Sequence, residues 1–236
     1  MALLISGGHT ELIQIENGES KIEKFKYTLL GQTRDDAVGE AFDKVARLLG
    51  LPYPGGPHIS KLAHEAYEAH LKSPIKLPRP MINSGDLAFS FSGLKTAVLY
   101  AVREAEKNNT IGEHAKDLVV AGNFKKTLAY EFEQAVTDVL DSKLRQAIEV
   151  AGAQSIIVGG GVSANHVLRQ RFQKIAETYH IPVFLPSFHI SGDNALMIAL
   201  VAALHSAHNN IHTHTHDQAA IAQKDIHAQG TKKLTE

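Results

Sequence analysis

Three consecutive glycines, Gly159, Gly160 and Gly161, with Ser163 and Asn165 close behind, are the residues of this chain best suited to hold a ligand against main chain. They follow the apolar run Ile156-Ile157-Val158 and precede a helical pattern. A strand, a glycine turn and a helix bring backbone N–H groups and a helix N-terminus to one point, where a phosphate or a ring edge can sit. Without Cβ atoms, the glycines let a flat ligand lie against the backbone. A tight turn with no ligand would use the same residues, and both readings stand. Ser6-Gly7-Gly8-His9-Thr10 makes a second such turn: its short polar groups suit an oxyanion loop, and plain hairpin chemistry accounts for it equally well. Ser90, Ser92 and Lys95 bunch at a helix start where an anion could rest, although capping by Ser92 is the plainer expectation. Asp43 reads as a solvated aspartate pairing with Arg47 one turn on. Gly39, on the same helix, costs about 1 kcal/mol against alanine and hints at close packing or a ligand. Asp193 stands at another helix start; as a cap it needs no further role, and as a metal ligand it needs partners.

The elements that must position these groups follow from periodicity. Residues 156–158 predict a strand buried on both faces of a parallel sheet. The helix after it, over 164–179, puts Val167, Leu168, Phe172, Ile175, Ala176 and Tyr179 on one face. Upstream, residues 2–5, 10–15 and 22–29 predict three antiparallel strands, with Asn17-Gly18 as a hairpin signal. A helix over 34–49 has an apolar face of Ala37, Val38, Ala41, Phe42, Val45, Leu48 and Leu49. Asp35 and Asp36 favour its start and Gly50 stops it. The proline-rich stretch 51–57 excludes helix or central strand and predicts a rigid loop of the kind that commonly carries function. A short helix over 60–70, a proline-bearing loop over 74–80, a strand over 86–91 and a helix over 94–107 come next. Residues 115–150 carry the longest helical period, as one helix or two nearly continuous ones. A strand over 182–186 and a last helix over 195–205 complete the pattern. From His208 the apolar period ends; His208, His212, His214 and His216 crowd a tail that could bind metal only if helical, and a solvated tail is the plainer reading.

The totals exclude several classes. Among 236 residues, 24 Lys and Arg face 25 Asp and Glu, so net charge points to neither nucleic acid nor membrane, though a local basic patch is compatible with it. An apolar fraction of 44% supports a real core, in one large domain or two small ones. The chain has no cysteine, hence no disulfide, thiolate metal site or cysteine nucleophile. No leader and no apolar run of membrane-spanning length is evident, so the expectation is a soluble, cytoplasmic protein. Ala2-Leu3-Leu4-Ile5 enters a core-like strand right after Met1, the pattern expected of a domain with something missing before it.

Six stretches in order resemble one family: residues 2–10 (ALLISGGHT), 35–44 (DDAVGEAFDK), 53–57 (YPGGP), 89–96 (FSFSGLKT), 158–165 (VGGGVSAN) and 192–194 (GDN). They are similar to the C-terminal lobe of the TsaD family of tRNA threonylcarbamoyl transferases, formerly called sialoglycoprotein endopeptidases. The resemblance covers residues 1–205 and leaves the His-rich tail, 206–236, outside it. It implies an α/β, actin-like and sugar-kinase-like fold with a mixed sheet flanked by helices, the N-terminal lobe being absent. Residues 1–50 and 115–205 would form the nucleotide-binding core and 51–114 an inserted helical and loop part. The implied reaction transfers threonylcarbamoyl from threonylcarbamoyl-AMP to the exocyclic amine of the tRNA adenosine beside the anticodon. Carried over residue by residue, Leu4, Ile5, Ser6, Gly7 and Gly8 lie around the phosphate or acyl part, and Asp43 and Gly56 near ribose and base. Asn165 follows the triple glycine, Gly159 to Gly161, which lies near the adenylate.

A divalent metal, iron or zinc, would polarise the acyl donor, with Asp193 as the carboxylate ligand. The family's other two ligands are an HxxxH pair in the N-terminal lobe, and no histidine pair in residues 1–205 has that spacing. Metal binding and transfer by this chain alone are therefore expected to be weak or absent. Implied partners are tRNA and TsaB-like and TsaE-like proteins; the chain is then a truncated form, one half of a split protein completed by a separate N-terminal lobe, or a degenerate copy. The competing class is a non-catalytic nucleotide- or partner-binding lobe. A kinase of the same fold lacks a candidate base, and a metalloprotease lacks HExxH.

Overall fold

The first strand, β1 (Ala2–Ile5), is apolar throughout and lies at the centre of a five-stranded sheet of order β3-β2-β1-β4-β5. This computed structural model describes residues 1–17, 25–73, 75–108 and 118–208. β2 (Thr10–Asn17) and β3 (Phe25–Gln32) continue antiparallel on one side, while β4 (Ile156–Gly159) and β5 (Val183–Phe184) run parallel to β1 on the other. Asn17 pairs with Phe25, while Gly18 and Ile22 of the expected hairpin lie outside the described residues. β3 runs on to Gln32 because its pairing with β2 resumes past an irregularity at Leu12/Ile13.

β4 departs from the expected two-faced burial. Ile156 and Val158 are buried, but Ile157 is 44% exposed, as is its partner Phe184 at 58%. Alternate residues of a strand face opposite sides, so the sheet is fully covered on one face only at this end.

Helices build the covered side. α1 (Val38–Leu48) starts later than the sequence pattern suggests, and neither Asp35 nor Asp36 begins it. Thr10 Oγ1, at the start of β2, instead accepts the N–H of Val38 at 2.8 Å. α2 (Gly55–Glu68) corrects the reading of 51–57 as loop throughout: Gly55, Gly56 and Pro57 open the helix. Proline is tolerated there because the first-turn N–H groups have no intrahelical acceptor. Residues 86–91 form no strand; their pairing is the isolated bridge Thr33–Phe89. They lead into α3 (Ser92–Lys107), and α4 (Leu118–Ala151) is one continuous helix of 34 residues. A 3-10 turn, Gly161–Ala164, separates β4 from α5 (His166–Tyr179), and a second, Phe188–Ile190, precedes α6 (Ala195–His208).

One continuous core joins residues of β1, α1, α2, α3, β4 and α5 around α4, where Leu128, Phe132, Val136, Leu140 and Leu144 are fully buried. Phe42 meets Phe132 edge-on at 5.0 Å, locking α1 to α4. Lys143 is also fully buried; its Nζ donates to Ser84 Oγ at 3.0 Å and to the Asp86 carbonyl at 2.6 Å, which pins the irregular segment before α3. Burial holds this ammonium below its ordinary range. α6 differs from every other helix: Leu196, Met197, Ile198, Leu200, Val201 and Leu204 are all exposed. No helix among the described residues is long and apolar enough to cross a membrane.

Candidate functional site

The glycine turns and the polar residues near them are joined by a closed circuit of short contacts. At the end of β1, Ser6 Oγ accepts the N–H groups of Gly8 at 3.2 Å and His9 at 2.9 Å. Its own hydroxyl proton stays available, and Gly7 and Gly8 are exposed with open space where a Cβ would point. Gly160 touches this turn directly: its φ is +94°, and an added Cβ would stand 2.3 Å from the Ile5 carbonyl oxygen. Gly39 seats α1 against the same turn, donating its N–H to the Ser6 carbonyl at 3.1 Å. One turn further along α1, Asp43 Oδ1 accepts the Gly55 N–H at 2.7 Å and so holds the start of α2. One turn into α2, Ser60 Oγ accepts from Asn165 Nδ2 at 2.9 Å, which returns to the triple glycine.

Several expectations change here. Of the three glycines, Gly161 alone opens its Cβ direction to free space; Gly159 faces the Leu4 side chain at 3.3 Å and Gly160 faces backbone. The missing side chains at 159 and 160 therefore serve strand packing, and a ligand has room at 161. Gly39 likewise serves packing, since an added Cβ would lie 2.7 Å from the Ser6 oxygen. Asp43 takes the N–H of Gly55 rather than pairing with Arg47. Gly56, the next residue of α2, has open space at its Cβ position. Leu4 and Ile5 contribute through β1 itself, Leu4 pairing with Gly159.

Asn165 caps α5, Oδ1 accepting the Leu168 N–H at 3.0 Å. Ser163 does not share that role: it is fully buried in the 3-10 turn, and its Oγ has no hydrogen-bond partner. Glu133 of α4, which no motif of the sequence singles out, completes the cluster. Its Oε1 accepts Ser60 Oγ and Asn165 Nδ2, each at 2.7 Å. Burial pushes its carboxyl above the ordinary glutamate range, only partly opposed by the hydrogen bonds from Ser60 and Asn165. The one sequence clue to it is position: Ala129, Val136, Thr137 and Leu140, all buried, place Glu133 on the inward stripe of α4.

The anion at the start of α3 proves to be the chain's own. Asp35 Oδ1 accepts the N–H groups of Phe91 at 2.8 Å and Ser92 at 3.2 Å, and Oδ2 accepts both the Ser90 and Ser92 hydroxyls at 2.6 Å. Partial burial pushes the Asp35 carboxyl up, but these four hydrogen bonds outweigh it and hold the group below the usual range. Ser92 is thus the first residue of α3 and a donor to Asp35, not its cap.

Asp193 lies apart from this network. It is exposed, and Asn194 rather than Asp193 caps α6, accepting the Met197 N–H at 3.0 Å. Among the described residues no three His, Asp or Glu side chains converge to hold a metal ion. His212, His214 and His216 of the tail lie outside the described residues. Two cavities, about 690 Å³ beside Gln173 and Val183 and about 380 Å³ beside Tyr67 and Tyr130, are lined by none of the residues of the circuit.

A family model for TsaD, tRNA N6-adenosine threonylcarbamoyltransferase, matches residues 1–200. Curated relatives of that name include one from Methylobacillus flagellatus, 47% identical over 88% of this chain and 55% of the relative. Others come from Dichelobacter nodosus, 45% identical over 86% of this chain and 53% of the relative, and Thermosipho africanus, 42% over 85% and 54%. The chain thus spans about half the length of the curated relatives it matches.

Proposed function

The chain belongs to the tRNA N6-adenosine threonylcarbamoyltransferase family, and on that premise we propose that it supplies the adenylate-binding part of such an enzyme. The observation that carries the reading is the closed circuit linking the Ser6 turn, Asp43, Gly55, Ser60, Asn165 and Gly160. Its fold is the C-terminal lobe of an actin-like, sugar-kinase-like protein. The substrate is threonylcarbamoyl-AMP, a mixed anhydride, and the acceptor is the exocyclic amine of the tRNA adenosine beside the anticodon.

Each part of the circuit has work suited to its chemistry. Main-chain N–H at Gly7 and the Ser6 hydroxyl donate to the phosphate and the acyl oxygens. Asp43, with one oxygen committed to Gly55, offers the other to a ribose hydroxyl. Gly56 and Gly161, open at their Cβ positions, let sugar and base approach the backbone. Because these groups are held by one another before any ligand arrives, little ordering is required on binding.

The described residues do not form a metal site by themselves. Asp193 would contribute one carboxylate, the remaining ligands coming from elsewhere. On this reading transfer to tRNA by the described lobe alone is weak or absent, and its partners are tRNA and TsaB-like and TsaE-like proteins in the cytoplasm. The uncovered apolar surface of α6 favours a second reading, a partner-binding lobe without catalysis. Calorimetric titration of the purified chain with AMP separates the two. Binding with protection of residues 159–165 from hydrogen exchange supports the enzyme lobe, and no binding leaves only the partner-binding role. Full transfer activity on tRNA from the isolated chain would refute the need for a second component.

A further inference from the structure

An asparagine side chain offers two N–H donors and one oxygen with two lone pairs. In Asn165 both hydrogens are committed, one to Ser60 Oγ at 2.9 Å and one to Glu133 Oε1 at 2.7 Å. The Ser60 hydroxyl passes its own proton to the same Oε1 at 2.7 Å. Oδ1 accepts the Leu168 N–H at 3.0 Å, which leaves one lone pair. Turning the amide over would set its oxygen against the Glu133 carboxylate and remove the cap of α5, so three contacts agree on one orientation.

We propose that Glu133 is a positioning residue that fixes the Asn165 amide with only an acceptor left to offer. Asn165 then meets a hydrogen-bond donor at the nucleoside end of the adenylate, a ribose hydroxyl or the 6-amino group, and not a phosphate oxygen. This rests on the adenylate reading above. The chemistry excludes the phosphate twice over: its oxygens are acceptors, which a lone pair cannot satisfy, and the Glu133 carboxylate behind the amide repels negative charge. Placement argues the same way. Glu133 is 2% exposed on the inward stripe of α4, where an apolar side chain would fill the space without any desolvation cost. A carboxyl there orients two polar side chains at the edge of the glycine turn, which no apolar residue could do.

The test combines a ligand-free readout with binding. In ¹⁵N spectra of the whole chain, the side-chain NH₂ pair of Asn165 is expected to exchange slowly. Glu133→Ala should lose that protection and weaken AMP binding about tenfold, the loss of about one buried charge-assisted hydrogen bond. Glu133→Gln keeps an acceptor oxygen and should recover to within about threefold. Inorganic pyrophosphate should bind all three proteins alike, which a general loosening of the fold would not allow. Ser60→Ala provides a second route should Glu133→Ala not fold, since it removes one of the two acceptors and should expose one amide hydrogen to exchange. Purine riboside monophosphate, lacking the 6-amino group, and 2′- and 3′-deoxy-AMP identify which donor is met. An unprotected amide in the unaltered chain, or a Glu133→Ala chain that binds AMP normally, overturns the proposal. If the unaltered chain binds no AMP, the adenylate reading fails, and the amide signal alone then decides whether Glu133 holds Asn165.

Discussion

Asn165 and Asn194 each cap a helix in the same way, accepting the N–H three residues on, yet their surroundings are opposites. Around Asn165, Glu133, Ser60 and the start of α5 are mutually satisfied, and α5 buries Leu168, Phe172 and Ile175. Around Asn194, the neighbouring Asp193 is exposed and α6 shows Leu196, Ile198, Leu200 and Leu204 to solvent at 58–65%. One region carries its own scaffold; the other has apolar surface that the described residues do not cover. A cap therefore says where a helix begins and nothing about whether the helix is finished as a piece of tertiary structure.

Breaking the satisfied region should be costly, starting with the glycine turn. Gly160→Ala places a methyl 2.3 Å from the Ile5 carbonyl in a backbone conformation that side chains rarely adopt. A loss above about 3 kcal/mol is expected, read as a fall of several degrees or more in melting temperature. Asn165→Ala should follow at about 2–3 kcal/mol by chemical denaturation, combining a lost cap with unpaired groups at Ser60 and Glu133.

Asp35→Ala tests a satisfied site at the surface and should cost about 1–2 kcal/mol at neutral pH. Here the pH dependence is informative. The Asp35 carboxyl is held below its unfolded value, so its contribution is present above the ordinary aspartate range and is lost as pH falls through the depressed value. The stability gap between the two proteins should thus close in acid, and a gap that persists at low pH contradicts the four-bond account. Smallest of all, Leu200→Glu on α6 and Asp193→Ala beside it should each move the stability of the isolated chain by less than about 0.5 kcal/mol. A larger loss from Leu200→Glu would mean that α6 is covered after all and would dissolve the contrast.

Periodic features are legible in the sequence. The 34-residue run of α4, the α5 face and the strand before the triple glycine follow from apolar spacing, which reflects burial directly. What the sequence does not convey is partners distant along the chain. Asp35 sits beside α1 in sequence, but its carboxylate serves α3, with Ser92 lying 57 residues away. Glu133 is hidden because a carboxylate inside a helical period ordinarily marks the solvated face; its value depends on Asn165 arriving from another element. The start of α2 is misplaced by sequence pattern because Gly-Gly-Pro breaks helices everywhere except in the first turn. The glycine triplet reads as ligand space at all three positions, whereas Gly160 is required by Ile5.

Gly39 and Ser6 approach so closely that no methyl group fits between them, and this has a kinetic corollary. The first turn and α1 share a hydrogen bond and a contact too tight for a methyl group, so they are expected to move as one piece. Rapid mixing of the chain with AMP should then give a single phase whose rate rises linearly with nucleotide concentration, without the plateau that a slow opening step imposes.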